Sequence, residues 1–459
     1  MDEIRFGTNG WRGVPGRGFS AAGAARLARA LARALARAGR GRQVVFGFDT
    51  RADADAIAEQ AAGVFSGAGG DALLCDRALP TPVIGFLVRA RRAAGGFVVT
   101  ASHNSPEYLG VKILAAGGEG APRRFVDALA ASANAAAQRE GAPPGRARPL
   151  RDPARRYLAR LETLVDTRAV RRARPRVLYD AMHGTGAGVA DRALALLGAR
   201  VEVMRCERDV RFGGGAPDPV RGRLHGLMRA VRAGGFDLGL ASDGDADRFA
   251  LVDARGRLLS ETQALALLVD QLGATRSLPR GFALSAATGS LAERVARAHG
   301  LAVRRVGLGF SPLAAALREG RADVAGEESG GFAWRPMGFD KDGILAGALA
   351  LEAAASEPLH ERVARLERVH GRSACGRIAL PASPVARRRL ARLVADPPER
   401  VGGARVSSTE VGDGLRASFA DGFLYWRASG TEPVIRVYAE AATAAALARR
   451  LAAGAARLR

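Results

Sequence analysis

The sequence predicts an α/β chain built of three similar α/β domains followed by a smaller α+β C-terminal domain. Short apolar runs alternate with helical stretches down to about residue 370, the mark of βαβ units and an α/β sheet. The remainder changes to several strand-like pieces and a closing Ala-rich helix, which reads as α+β. At roughly 150 residues per domain, 459 residues accommodate about three domains and allow four.

Taken in order, residues 20–40 place Leu27, Leu31 and Leu35 at helical spacing with arginines on other faces, an amphipathic surface helix. The run QVVFGF at 43–48 reads as a strand ending in Asp49, with a helix over 54–68, and strands at 71–75 and 96–100 complete the first block. Residues 138–153, rich in Pro, Gly and Arg, read as a linker. The second block has strands at 176–179, 200–204 and 237–241 and helices at 189–197 and 224–233. The third has strands at 282–285, 303–306 and 322–325, a helix at 290–299 and another from 343. Strand-like pieces at 377–380, 414–419, 423–427 and 434–440 make up the last. The expected domains are therefore 1–147, 148–253, 254–370 and 371–459, and no short-period repeat is present.

Composition excludes several classes. Apolar residues at 48% and charged residues at 25% suit a folded soluble protein and argue against disorder. No run approaches the roughly 18 to 20 apolar residues of a membrane span. The opening MDEIRFGTNGWRG has no apolar signal core, so a cytoplasmic protein with no membrane partner is expected. Cys75, Cys206 and Cys375 lie far apart without CxxC spacing, which excludes a disulfide framework and a Cys-type zinc site. The net charge of +23 would ordinarily point to nucleic acid. Here the basic residues are scattered and aromatics are only 5%, leaving little for base stacking, so no nucleic-acid partner is expected. Of 69 basic residues only Lys112 and Lys341 are lysine, while Arg, Ala and Gly abound throughout. The two are either chance leftovers of a compositional drift or mark positions where a guanidinium, which stays protonated, cannot serve.

Four loops carry chemistry, one per block, at strand ends where ligands sit in open α/β sheets. TASHNSP follows GFVVT, with Lys112 ten residues past Ser102. Ser102 beside His103 is a candidate nucleophile, although the loop alone also reads as a polar turn and is no GxSxG elbow. Asp243, Asp245 and Asp247 alternate with small residues and can turn three oxygens toward one hard cation such as Mg²⁺. The other reading is a solvated acidic turn, and Arg248 beside it suits an anion at the same place. In GEESGG, Glu327 and Ser329 offer acceptors and donors for sugar hydroxyls. In RASGTEP, Arg427, Ser429, Gly430 and Thr431, with Arg436 three residues past the motif, form a phosphate cradle. Together these call for phosphoryl transfer on a phosphorylated sugar, with phosphorylated Ser102 and the aspartates forming one electrostatic unit from two blocks beside a cleft between domains.

With these motifs in place, the sequence resembles the α-D-phosphohexomutase superfamily of phosphoglucomutases, phosphomannomutases and phosphoglucosamine mutases over essentially its whole length. The resemblance rests on FGTNGWRG, TASHNSPEYLGVK, DAMHGTG, FGGGAPDP, DGDADR, GEESGG, KDG and RASGTEP in the family's order and spacing. It implies four domains around a central cleft, a phosphoserine at Ser102, and one Mg²⁺ per chain held by Ser102, Asp243, Asp245 and Asp247. It further implies Glu327 and Ser329 on the sugar hydroxyls, and Arg427, Ser429, Gly430 and Thr431 on the non-reacting phosphate. Arg12, His103, Lys112, Arg248 and Lys341 match positions lining the family's cleft. The implied activity interconverts hexose 1- and 6-phosphates, of glucose and also mannose, with hexose 1,6-bisphosphate as intermediate and activator. Lys112 and Lys341 are the candidates for general acid and base. Phosphoglucosamine mutase is the alternative, and a sugar-phosphate-binding paralogue with weakened catalysis a third. The chain departs from the family's pattern at Ser105, Leu109, Gly331 and Met337, and the VGLGFS stretch at 306–311 lacks the lysine of many relatives. These changes leave the serine, metal and phosphate loops intact and bear on which sugar is chosen; oligomeric state, monomer or dimer, is not decided.

Overall fold

Both faces of the first sheet are covered, which explains why its strands read as nearly continuous apolar runs. In the computed structural model, which describes residues 3–8, 10–39, 41–135, 143–430 and 433–459, this sheet has seven strands. Their order is Gly18–Phe19, Trp11–Pro15, Leu109–Leu114, Gly95–Val99, Gln43–Phe48, Asp71–Cys75 and Arg148–Leu150. Strand alternation sends Val44, Phe46, Phe97 and Val99 into one core with Leu27, Leu31, Phe65 and Leu129 of three covering helices. The opposite face meets the helix Thr81–Ala90; a Cβ at Gly47 would lie 2.3 Å from Ile84 Cδ1. The helix expected over 20–40 spans Ala21–Arg37, capped by the Ser20 side chain on the Gly23 amide at 3.2 Å. Arg40 lies outside the described residues.

The segment read as a linker needs correction. Residues 138–142 lie outside the described residues, but Arg148–Leu150 is an edge strand, parallel to Asp71–Cys75. Pro149 is tolerated there because an edge strand leaves one row of amides unused by the ladder. The strand Leu109–Leu114, fully buried and antiparallel to Gly95–Val99, has no counterpart among the expected elements. Its register sets Lys112 opposite Val98.

The second sheet has the order Phe249–Asp253, Leu238–Ser242, Arg176–Asp180, Arg200–Met204. The middle pair is parallel, and Phe249–Asp253 turns back antiparallel after the aspartate loop. Leu178, Leu224, Leu227, Val231 and Val252 fill one face. The helix Gly343–Ser356, from much later in the chain, packs by Gly347, where a Cβ would come within 2.4 Å of Leu240.

The chain divides into two compact units, residues 1–258 with 331–358, and residues 259–330 with 359–459. In the second unit, Phe282–Ser285 pairs in parallel with both Val303–Val306 and Val324–Gly326. A five-stranded antiparallel sheet follows in the order Ala374–Pro381, Val434–Ala441, Gly422–Ala428, Leu415–Phe419, Ser408–Val411, its core built on Trp426, Leu415, Leu424 and Val437. No helix among the described residues is long and apolar enough to cross a membrane.

Candidate active site

Two loops of the first unit meet backbone to backbone. The turn after Gly95–Val99 carries Ser102, and the turn after Leu238–Ser242 carries Asp243, Asp245 and Asp247. Gly244 makes the approach possible, since a Cβ there would lie 2.6 Å from the Ser102 carbonyl oxygen. Ser102 donates its hydroxyl to Asp243 Oδ2 at 2.8 Å, and its Oγ lies 3.4 Å from His103 Nδ1. Ser102 and all three aspartates are buried.

Charge is then delivered from three other places in the chain. Lys112 Nζ donates to Asp245 Oδ2 and, at 2.8 Å, to Asp247 Oδ2. Lys341 Nζ lies 3.0 Å from the same Asp247 oxygen. The Arg248 amide donates to Asp243 Oδ1 at 3.0 Å. Arg12, from Trp11–Pro15, donates to Asn104 Oδ1 at 2.6 Å in the serine loop. Ser102, His103, Lys112, Arg12, the three aspartates, Arg248 and Lys341 therefore form one cluster, drawn from positions spread over most of the chain.

The electrostatics divide the carboxylates. Asp243 is raised well above the usual range by burial and by Asp247 and Asp245. Burial also works against the Asp247 anion, but Lys112, Lys341 and Arg248 outweigh it and hold Asp247 well below that range. Burial likewise opposes the Lys112 ammonium, and Asp245 and Asp247 more than offset it, so Lys112 is held protonated. His103 is pushed down to about 2 by burial and by the cations Arg248 and Arg12, so its ring is neutral.

The carboxylates have room for a cation. One ligand oxygen from each of Asp243, Asp245 and Asp247 can lie within 4.8 Å of the others. Asp245 Oδ1 and Asp247 Oδ1 are buried with no hydrogen-bond partner, a costly state for carboxylate oxygens. Three carboxylates and a serine hydroxyl are an all-oxygen donor set, which fits a hard divalent cation.

Several supports were missed in the sequence. Thr81, the first residue of the helix Thr81–Ala90, donates to Asp245 Oδ2 at 2.5 Å, and its amide donates to the Asp245 carbonyl at 2.9 Å. Thr185, within DAMHGTG, donates its amide to the Gly244 carbonyl at 3.0 Å. Tyr157 donates to Asp342 at 2.7 Å, and Asp342 caps the helix behind Lys341 by accepting from the Leu345 amide at 2.9 Å. Asp49 and Arg51 lie beneath the serine loop. A usable signal was FDTR, a charged pair directly after a strand, like the other four loops.

In the second unit, Ser329 donates to Glu327 Oε1 at 2.6 Å. Glu328 accepts from Ser285, and burial together with Glu327 raises its carboxyl to about 7. Arg427 and Arg436 are direct cross-strand partners, and Asp413 accepts from Arg427 Nε at 2.5 Å. Ser429 closes the turn through its amide on the Val434 carbonyl at 2.8 Å, and Gly430 is open to solvent on its Cβ side. Thr431 lies outside the described residues. A separate cavity of about 380 Å³ in the first unit, lined by residues including Leu87, Arg91, Leu150 and Arg155, shares no residue with the Ser102 cluster.

Gly244→Ala is expected to push the two loops apart and weaken divalent-cation binding at least tenfold, measured by titration calorimetry; unchanged affinity would show that the loops need not touch. Glu328, with a raised folded pKa, binds more protons folded than unfolded between about 4.5 and 7, so its contribution to stability falls as pH rises through that window. Glu328→Gln should therefore flatten the decline in unfolding midpoint between pH 5 and pH 8, and a curve identical to the parent would exclude a neutral, buried Glu328.

Comparison with known proteins identifies the family. Residues 3–140, 155–256 and 260–369 match the models for phosphoglucomutase/phosphomannomutase alpha/beta/alpha domains I, II and III, and residues 383–457 match that for the C-terminal domain. A phosphoglucomutase/phosphomannomutase of Thermococcus kodakarensis is 30% identical over 442 residues, 95% of this chain and 94% of its own length. A phosphoglucosamine mutase of Saccharopolyspora erythraea is 32% identical over 450 residues, again 95% of this chain and 94% of its own. A solved structure from Thermus thermophilus, provisionally described as a phosphomannomutase, superposes with a TM-score of 0.86 at 30% identity and covers 99% of both chains. The chain belongs to the phosphoglucomutase/phosphomannomutase family, the α-D-phosphohexomutases, whose members are mutase isomerases of four-domain architecture.

Proposed function

We propose that this chain is a Mg²⁺-dependent phosphohexose mutase that interconverts hexose 1-phosphate and 6-phosphate, with glucose its main sugar and mannose a further one. The observation that carries the reading is the Ser102 hydroxyl 2.8 Å from Asp243, inside a buried set of three carboxylates. Asp243, Asp245, Asp247 and the oxygen on Ser102 would hold one Mg²⁺, which when bound supplies positive charge to phosphoryl oxygens.

Ser102 is the phosphoryl carrier. In the first transfer the bond from phosphorus to Ser102 Oγ breaks and a bond forms to the free hydroxyl oxygen of the sugar phosphate, whose proton passes to a base. The hexose 1,6-bisphosphate turns around, and its other phosphoryl group returns to Ser102 Oγ while a proton replaces it on the sugar. Lys112, bonded to Asp245 and Asp247, and Lys341, beside the same Asp247 oxygen, are the candidates for the proton transfers. His103 Nδ1 stands 3.4 Å from Ser102 Oγ, at the side of the transferring group. Arg12, Arg248 and Lys341 add charge for the transferring group. Glu327 and Ser329 would read the sugar hydroxyls. Arg427, Ser429, Gly430, Thr431 and Arg436 would hold the phosphate that does not react, a role supported by Arg427 and Arg436 standing as direct cross-strand partners beside the Ser429 turn.

A second reading, phosphoglucosamine mutase, is favoured by the 32% identity to relatives of that name over 95% of the chain. Turnover of glucose, mannose, glucosamine and N-acetylglucosamine 1-phosphates, with Mg²⁺ and trace hexose bisphosphate, separates the readings. A kcat/KM for glucose 1-phosphate at least tenfold above that for the amino sugar supports the first, and the reverse ratio the second. Ser102→Ala should abolish at least 99.9% of turnover and preserve substrate binding; near-normal turnover would exclude Ser102 as carrier. Lys341→Arg keeps the charge yet should slow transfer about tenfold or more, because a larger planar head must enter a buried space beside Asp247; an unchanged kcat would mean that only the charge matters.

A further inference from the structure

Arg51 is wholly buried, yet its hydrogen bonds do not go to Asp243, Asp245 or Asp247. They go to the backbone of the serine loop. Nη1 donates to the Ser105 carbonyl at 2.7 Å and the Tyr108 carbonyl at 2.9 Å, and Nη2 to the carbonyls of Ser102 at 2.7 Å and Asn104 at 2.6 Å. Nε donates to Asp49 Oδ2 at 3.1 Å. The same Asp49 oxygen accepts the Thr100 hydroxyl at 2.6 Å, and Thr100 Oγ1 accepts the Ser102 amide at 2.8 Å. The circuit closes on one residue, with Ser102 gripped at its carbonyl by Arg51 and at its amide by Thr100. Ser102 itself sits at φ +51°, a left-handed conformation that a serine rarely adopts unaided. The guanidinium is also backed by the Phe212 ring, whose centroid is 5.0 Å away.

We infer that Arg51, working through Asp49 and Thr100, is a positioning residue that fixes the backbone of Ser102 in its left-handed conformation and so aims Oγ at the aspartate loop. The inference rests on the reading that Ser102 carries the phosphoryl group. A residue gripped at both its N–H and its C=O cannot rotate about φ or ψ without breaking the circuit, so the direction of its Cα–Cβ bond is set by the clamp. The demand on Arg51 is for a planar fork reaching several carbonyls at once, which a single ammonium cannot meet. Thr100 uses its hydroxyl as donor to Asp49 and acceptor from Ser102, which valine of the same shape cannot do. A displacement of Oγ by about 1 Å is enough to cost about 100-fold in rate.

The test uses the full chain, with Arg51→Lys and Thr100→Val measured separately. Each is expected to lower kcat about 100-fold with KM changed less than threefold. Each should also slow phosphorylation of Ser102 by glucose 1,6-bisphosphate, followed as the mass increase of the intact protein, by a similar factor. Leu31→Ala, a core truncation in the helix Ala21–Arg37, is the comparison for lost stability alone and should leave both rates within twofold when assayed below its unfolding temperature. If Arg51→Lys does not fold, Thr100→Val decides. Wild-type rates in the folded variants, or losses in Leu31→Ala matching theirs, would overturn the clamp. Failure of the wild-type protein to accept a phosphoryl group on Ser102 would instead overturn the reading beneath it.

Discussion

Three carboxylates gathered within a few ångströms in a buried site repel one another, and most of the first unit's architecture answers that constraint. At about 4 Å and an effective dielectric near 20, one like-charged pair costs about 4 kcal/mol. Lys112 and Lys341 place ammonium groups on Asp245 and Asp247, and the Arg248 amide and Ser102 hydroxyl bond to Asp243. Asp243, the member without a lysine, is the one whose carboxyl is pushed up. Desolvation would make any one of these charges unfavourable alone, so the cluster exists only as a set.

Assembling that set dictates long-range features of the fold. Lys112 is supplied by a strand that returns antiparallel beside the one leading to Ser102, and Lys341 by the turn that starts the helix Gly343–Ser356. That turn lies close against the aspartate loop, since a Cβ at Gly343 would come within 2.4 Å of the Arg248 carbonyl oxygen. Glycine is therefore required at Gly244 and Gly343 by the approach of backbones. The helix after Lys341 covers the face of the sheet that ends in the aspartates, so one element both buries that sheet and delivers its counter-charge.

Much of this was legible in the sequence. The central strands and Asp243, Asp245 and Asp247 announced themselves because apolar runs and a D-x-D-x-D pattern are local signals. The strand Leu109–Leu114 escaped because LGVKIL begins only a few residues after TASHNSP and reads as part of that loop. Its identity is set by pairing with Gly95–Val99 and Trp11–Pro15, partners that a sequence window does not contain. Arg148–Leu150 was hidden for the same reason, since Pro and Arg suit a linker and only the neighbouring strand makes them an edge. Thr81 carries no pattern, and nothing in DAMHGTG singles out Thr185, because the role of each is to bond to an aspartate loop distant in sequence.

The scarcity of lysine gains a geometric meaning here. An arginine fork can take both oxygens of one carboxylate, as Arg205 does here with Nε on Asp180 Oδ1 at 2.8 Å and Nη2 on Oδ2. Such bidentate pairing satisfies the carboxylate and leaves it little capacity for a metal. Lys112 instead bridges the Oδ2 atoms of Asp245 and Asp247, and Lys341 shares the second of these. Both Oδ1 atoms remain buried without a hydrogen bond. A compact ammonium thus lowers the repulsion among the aspartates and keeps one oxygen of each in reserve. A guanidinium fork, the default in a sequence so rich in arginine, would offset the same charge and occupy the oxygens that a cation needs.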